Sequence, residues 1–411
     1  MLALALLSLA IWIYLLLARG GFWMFRERLE QTQLPLPLGR GQGEGAELSP
    51  SPGLLTQSDL SLKGEVKALP SVVAVVPARD EADGIARAIG SLLKQDYKGS
   101  LRVILVDDQS TDGTAEIARA AAKALGAESK LEIITGQDRP RGWVGKLWAM
   151  NQGAACAIGV NPPDYFLFTD ADIEHSADNV SRLVAQACAS GTVLTSLMVK
   201  LRCQSFAEKL LIPAFVYFFA MLFPFAWSNN PRNKIAAAAG GCMLVKREAL
   251  AAGGGLETIK SAIIDDCALA QVMKQQGPIW LGLSSDTISL RPYEGFADIG
   301  RMVWRSAYAQ LGYSPLALAG TVLGMLIVYG VPAAVTIFAS GPAQLAGALA
   351  WLVMVASFVP ISRAYGVSPL RGILLPIVGL IYTAFTLISA VNFWTGKGGM
   401  WKGRAQAMAS S

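Results

Sequence analysis

Apolar residues follow two patterns along this chain. In the first, short continuous runs alternate with stretches whose apolar positions recur every three or four residues. Val72-Val-Ala-Val-Val76, Val103-Ile-Leu-Val106 and the stretch from Leu131 to Thr135 read as buried parallel strands. Between the first two, Ile85, Ile89, Leu92 and Leu93 mark one face of a helix. A second helix runs through Ala115 to Ala124, with Thr111 or Asp112 as its cap. This β-α-β-α-β order calls for a parallel sheet with right-handed crossovers. Gly145 opens another helix, which leads into the strand Tyr165-Phe-Leu-Phe-Thr169. Gly240 to Arg247 and Ile279-Trp-Leu-Gly-Leu283 read as later strands, and Asp265 and Asp266 as the first turn of a helix.

The second pattern is the long apolar run. Leu2 to Ala18 is uncharged and just long enough to span a bilayer. It lacks the positive n-region and small-residue cleavage site of a signal peptide, so it reads as an anchor over residues 1–20. Arg19, Arg26 and Arg28 follow it, which places the next domain in the cytoplasm. Three further stretches, 315–338, 345–361 and 373–394, predict membrane segments over 314–396. Arg363 and Arg371 favour a cytoplasmic turn between the last two. Three plain crossings would then put the basic tail, 397–411, outside, against the charge rule. Residues 210–227 are also apolar and aromatic, with Pro213 and Pro224 near their ends to interrupt a straight helix. A single crossing there would separate Asp170 from Asp266, so this segment is expected to lie in the interface or to dip in and return. Residues 33–70, rich in Pro, Gly and Ser, predict a linker, and 71–310 a single α/β domain.

Composition agrees: 53% hydrophobic and 16% charged residues fall outside the soluble range. The net charge of +5 is dispersed, which points to an anionic lipid surface and away from nucleic acid. Five cysteines without a Cys-x-x-Cys give neither a zinc site nor a disulfide framework. The single His175 has no triad partner in view and is expected in the loop or first helical turn after the Asp170 pair.

The chemistry concentrates where strands end. Asp170-Ala-Asp172 closes an apolar run, and open α/β sheets take their ligands at the carboxyl ends of their strands. Two adjacent carboxylates repel unless a cation sits between them. Mg²⁺ takes one or two carboxylates and completes its shell with water and substrate phosphates. The competing reading is an Asx turn. Asp80/Glu81, Asp107/Asp108 and Asp170/Asp172 all follow strands, so a parallel sheet gathers them at one edge. Lys146, at a helix start, supplies a mobile positive charge for a diphosphate, or is a solvated surface lysine. No Gly-x-Gly-x-x-Gly follows the first strand, which disfavours a dinucleotide dehydrogenase.

In order, Val76-Pro77-Ala-Arg79-Asp-Glu81, Val106-Asp107-Asp108-Gln-Ser-Thr-Asp112-Gly-Thr, Gly145-Lys146 with Asn151, Asp170-Ala-Asp172, Gly240-Gly241 with Arg247, and Asp265-Asp266 resemble family 2 glycosyltransferases of the GT-A fold. Similarity along the whole chain is closest to the bacterial hopene-associated glycosyltransferases. The resemblance implies a Rossmann-like, mostly parallel sheet facing the cytoplasm of the bacterial inner membrane. It implies that Pro77, Arg79, Glu81, Asp107 and Asp108 line a uridine pocket, that Lys146 and Asp170 bind the nucleotide sugar, and that Asp170 and Asp172 hold Mg²⁺ or Mn²⁺. Asp266 is implied as general base, with Asp265 where the family more often has Glu. Gly240 and Gly241, with Arg301, Trp304 and Arg305, are implied at the acceptor and diphosphate. Arg301-Met-Val-Trp304-Arg305 reverses the family's Arg and Trp order. The function implied is inverting transfer from a nucleotide sugar, UDP-linked, to a polyprenoid or hopanoid lipid. The alternatives are a ceramide-type or polysaccharide-forming transferase, and a non-catalytic nucleotide-sugar-binding scaffold.

Overall fold

The computed structural model describes residues 1–31, 68–397 and two short strands, Met400–Trp401 and Arg404–Ala405. Most of the expected linker and tail lie outside the described residues. After α1 (Leu2–Ala18), four strands form the parallel half of a sheet: β1 (Val72–Ala78), β2 (Leu101–Asp107), β3 (Leu131–Thr135) and β4 (Tyr165–Thr169). The crossovers are α2 (Ala82–Leu93), α3 (Thr114–Ala124) and α4 (Gly145–Val160). Then come β5 (Ile173–Glu174), α5 (Asn179–Ser190), β6 (Leu194–Lys200), α6 (Phe206–Leu222) and α7 (Phe225–Asn229). The domain closes with β7 (Cys242–Lys246), α8 (Arg247–Ala252), α9 (Asp265–Gln276), β8 (Ile279–Ser289) and α10 (Phe296–Trp304).

The sheet order is β3-β2-β1-β4-β7-β6-β8-β5, with β7 running against β4 and β6, and β5 against β8. The sheet is therefore mixed where a mostly parallel one was expected. The reversal has a use. An antiparallel β7 brings its first residues, beside Gly240 and Gly241, to the edge where β1, β4 and β8 end.

Strand side chains alternate between the two faces of the sheet. Val73 and Val75 pack with Leu147 and Met150 of α4 and Leu269 and Met273 of α9. Val72, Ala74 and Val76 pack with α2, α3 and α5 through Ile85, Ala118 and Val180. This two-sided burial explains why β1 and β4 read as continuous apolar runs.

A third core joins the domain to the apolar helices. Among the described residues, three helices are long and apolar enough to cross a membrane: Pro315–Phe338, Gly341–Ala364 and Pro369–Trp394. The last two run a few residues beyond the expected 345–361 and 373–394. α1, at 17 residues, is shorter. It packs inside the group: Trp12 is fully buried, donates to Val328 O at 2.8 Å and meets Tyr329 edge-on at 5.7 Å.

α6 begins four residues before the expected segment, at a capping box in which Ser205 and Glu208 satisfy each other's backbone N–H groups. Pro213 lies inside this helix and does not interrupt it; the helix stops at Phe223, before Pro224. Neighbouring helices bind it near the proline: Tyr382 donates to Leu211 O at 2.9 Å, and the Tyr217 and Ser357 hydroxyls lie 2.6 Å apart. Arg19 donates to Met221 O and Leu222 O, so a cation of α1 caps the carbonyl end of α6.

Candidate active site

The loops after β1 and β2 are knitted together by hydrogen bonds. Asp80 adopts a left-handed φ of 49°, uncommon for a residue with a Cβ. It is held there by Ser110 Oγ, which accepts from Asp80 N at 3.0 Å, and by Thr111 N, which donates to Asp80 Oδ1 at 2.9 Å. Ala82 N donates to Asp112 Oδ2 at 2.9 Å. Asp112 Oδ1 also accepts from Thr114 N, so Asp112 serves both helix starts, although Gly113 occupies the cap position of α3. Asp107 Oδ1 accepts from Ser110 N at 3.0 Å, and buried Asp108 pairs with Arg79 at 3.6 Å. Arg79, Asp107 and Asp108 thus form one cluster at the ends of β1 and β2.

Beside that cluster lies a cavity of ≈ 580 Å³ at the strand-end edge. Pro77, Glu81, Lys146, Asp170, Asp172, Gly240, Gly241, Asp266, Arg301 and Arg305, all expected in the site, line it. Lys146 Nζ lies 2.7 Å from Asp170 Oδ1 and 3.2 Å from Asp265 Oδ2. Burial alone would lower the Lys146 ammonium, but these carboxylates outweigh it and hold it well above its ordinary range. The lysine is half-buried, with its side chain 17% exposed, and is paired with carboxylates instead of projecting into solvent. Desolvation raises Asp170, and Lys146 opposes part of that rise.

Asp266 sits in the first turn of α9, where its Oδ2 accepts from Gly240 N at 2.9 Å and its Oδ1 from Cys267 N at 2.7 Å. Burial and then the Asp265 charge push its carboxyl up to about 6, against the pull of Lys146. Gly240 leaves room here: a Cβ would stand 3.2 Å from Lys146 Nζ, so a larger residue would displace the lysine head by a few tenths of an ångström.

The sequence reasoning missed Arg291. It follows β8, and its guanidinium reaches Asp172 Oδ2 at 2.7 Å and Glu81 Oε1 at 2.9 Å. β8 ends at the same edge as β1 and β4, which brings Arg291 to the cavity. The apolar segment 210–227 reaches the cavity: Phe215 and Phe219 of α6 make an apolar wall with Met198, Tyr293 and Met302. Trp304 does not line the cavity; it packs edge-on against Phe385 of the last apolar helix at 6.0 Å. His175 lies in the loop after β5, as expected, and is buried there, its ring between the Thr169 hydroxyl at 3.0 Å and the Asn179 amide at 2.8 Å. Burial pushes it down to about 3, so it is a neutral core histidine.

The donor set fits a hard divalent ion. Among the described residues no cluster of three His, Cys, Asp or Glu ligands occurs. Two carboxylates suffice for Mg²⁺ when phosphates and water complete the shell. Lys146 engages Asp170 through Oδ1 and Arg291 engages Asp172 through Oδ2, so each acid keeps an oxygen outside its ion pair.

Residues 73–254 match the family model Glycosyl transferase family 2. A 127-residue stretch is 31% identical to the 4,4'-diaponeurosporenoate glycosyltransferase of Staphylococcus haemolyticus, covering 31% of each chain. A 131-residue stretch is 30% identical to an N-acetylglucosaminyltransferase of Bradyrhizobium elkanii, covering 32% of this chain and 65% of that one. The matches therefore span less than two thirds of either relative's own length. Among solved structures, a mannosyltransferase from Pyrobaculum calidifontis in complex with GDP-Man and Mn²⁺ superposes with a TM-score of 0.49 at 18% identity, over 95% of this chain and 99% of that one. It is over residues 73–254, therefore, that this chain is similar to the family 2 glycosyltransferases.

Proposed function

We propose that this protein is a membrane-bound, inverting glycosyltransferase that moves a sugar from a nucleotide diphosphate donor to a lipid acceptor. The observation that carries the reading is one cavity with two chemistries. Its floor is charged, with Lys146, Asp170, Asp172, Asp266 and Arg291. Its wall is the apolar face of α6, itself packed among helices able to cross a membrane. A soluble acceptor gives no reason for the second half.

In this reading Arg79, Asp107 and Asp108 receive the base of a uridine-type nucleotide, and Pro77 and Glu81 border it. Asp170 and Asp172 would hold Mg²⁺ or Mn²⁺, which supplies charge neutralisation for the departing diphosphate. Lys146 and Arg291 add positive charge where that negative charge develops. Asp266 takes the proton of the acceptor hydroxyl as the oxygen attacks the anomeric carbon and the diphosphate leaves from the opposite face. One base is enough for inversion. Arg301 and Arg305, on one face of α10 at the cavity wall, meet the acceptor end; Trp304 positions α10 against the last apolar helix. The acceptor is a polyprenoid or hopanoid lipid, and the relative named for a diaponeurosporenoate substrate supports a greasy acceptor. The catalytic edge faces the cytoplasm, with α1 and the C-terminal helices in the inner membrane.

The test is to incubate membranes containing the protein with labelled nucleotide sugars and identify glycosylated lipids in the extract by mass spectrometry. A new glycolipid absent with Asp266→Asn is expected. Label appearing in free sugar or in no product at all overturns the transferase reading.

A further inference from the structure

Glu208 is a buried carboxylate at the start of α6, and nothing in the proposed chemistry uses it. Its two oxygens do different work. Oε2 accepts from Gln204 N at 2.6 Å and Ser205 N at 2.7 Å, completing the helix cap. Oε1 accepts from Arg202 Nη1 at 2.9 Å and from Tyr293 N at 2.8 Å, a residue 85 positions away. Ser205 Oγ donates to Tyr293 O at 3.0 Å, so both backbone groups of Tyr293 are tied to the first turn of α6.

Two residues before Tyr293 stands Arg291, and three before it Leu290 N donates to Asp172 O at 2.7 Å. Arg291 is thus strung between two anchors, with Pro292 between it and the second. Proline fixes its own φ and restricts the residue before it. The Arg291 backbone has little freedom as long as Tyr293 stays pinned. Its side chain then spans Glu81 and Asp172, which come from different strands.

We propose that Glu208 is a positioning residue. By holding Tyr293, it sets where the Arg291 guanidinium stands over the donor's phosphates, and so couples the apolar wall of α6 to the charged floor of the cavity. This rests on the transferase reading for the identity of the ligand. The coupling itself is read from the hydrogen bonds.

Glu208→Gln isolates the effect, because Gln also serves in a capping box. Its one amide oxygen keeps the Gln204 and Ser205 bonds. Its NH₂ then faces Tyr293 N–H and Arg202, which both need an acceptor. The assay is calorimetric binding of UDP and GDP with Mn²⁺ to the full-length protein in detergent. Loss of hydrogen bonds to a charged group should weaken binding by about tenfold or more. Arg291→Ala should weaken it at least as much, and the double variant should bind no worse than Arg291→Ala alone, with the thermal unfolding midpoint of Glu208→Gln near that of the wild type.

Additive losses, or undiminished binding by Glu208→Gln, overturn the proposal. Should Glu208→Gln fail to fold, Pro292→Gly loosens Arg291 without touching the cap. It must show the same non-additivity with Arg291→Ala, and additive losses there overturn the proposal equally. A wild type that binds neither nucleotide points instead to failure of the transferase reading.

Discussion

Replacing Asp266 with Asn tests the chemistry at its centre. The wild-type carboxyl is raised to about 6 by burial and by Asp265, while Lys146 keeps it from rising further. A base must be deprotonated to act. Activity should therefore be full above pH 7 and fall as pH drops through 6, reaching roughly a tenth of its plateau at pH 5. Asn preserves the shape, and its single oxygen can still accept from Gly240 N, so the β7 entrance and α9 stay in register. What it cannot do is take a proton. The expected loss is ~10²–10⁴-fold in turnover, the range for removing a positioned general base. The assay is the initial rate of glycolipid formation at saturating donor between pH 5 and 8, for both proteins. The Asn variant should be slow and nearly flat over that range, with donor binding intact. Two results would refute the reasoning: turnover within tenfold of wild type, or a wild-type profile that stays level down to pH 5.

Asp172→Ala should weaken nucleotide binding in the presence of Mn²⁺ far more than in its absence; an unaltered titration removes Asp172 from the metal's donors. His175, held at about 3 against an ordinary 6.5, stays neutral in the fold while the unfolded chain takes up a proton. Its contribution to stability is complete above pH 6.5 and is lost as pH falls toward 3, by about 2 kcal/mol at pH 5. The unfolding midpoint should drop from pH 7 to pH 5 in the wild type and drop less in His175→Gln; equal drops count against this assignment. Trp12→Ala removes a fully buried ring and its bond to Val328 O, at a cost of ~3–5 kcal/mol. Intact thermal stability in detergent would show that α1 is not part of the packed core.

The parts of the site that were legible in the sequence are those announced by a buried strand. β1, β2 and β4 are continuous apolar runs, so the acids after them could be assigned to one edge. β6 was not legible, because Thr195 and Ser196 are polar residues that the fold buries, with Ser196 Oγ bonded to Ala239. β8 runs on through Ser284, Ser285 and Asp286, polar residues that hid its true end and with it the place of Arg291. The direction of β7 has no sequence signature; it follows from the pairing of Tyr165 with Lys246 and of Thr169 with Cys242. Glu208 shows both sides. The Ser-x-x-Glu pattern at 205–208 announces a helix start, but nothing local says that the same carboxylate also reaches Tyr293.

The apolar segment around α6 decides whether the separate acids can share one compartment. At 17 residues the helix is about 25 Å long, shorter than the ~30 Å hydrocarbon core of a bilayer. Both of its ends are tied to the same sheet domain. The first turn is bonded to Tyr293 through Ser205 and Glu208. On its other side the chain is held through α7, whose last residue Asn229 exchanges two hydrogen bonds with the Leu281 backbone of β8, at 2.7 and 3.0 Å. A helix crossing the membrane would carry its two ends to opposite sides, and one β8-centred domain cannot follow it to both. The shared lysine makes the same point from the chemistry, since Lys146 touches Asp170, before α6 in the chain, and Asp265, after it. We propose that α6 does not cross the membrane but lies in the interface or dips in and returns, so that the carboxylates on either side of it in the chain can close around one donor.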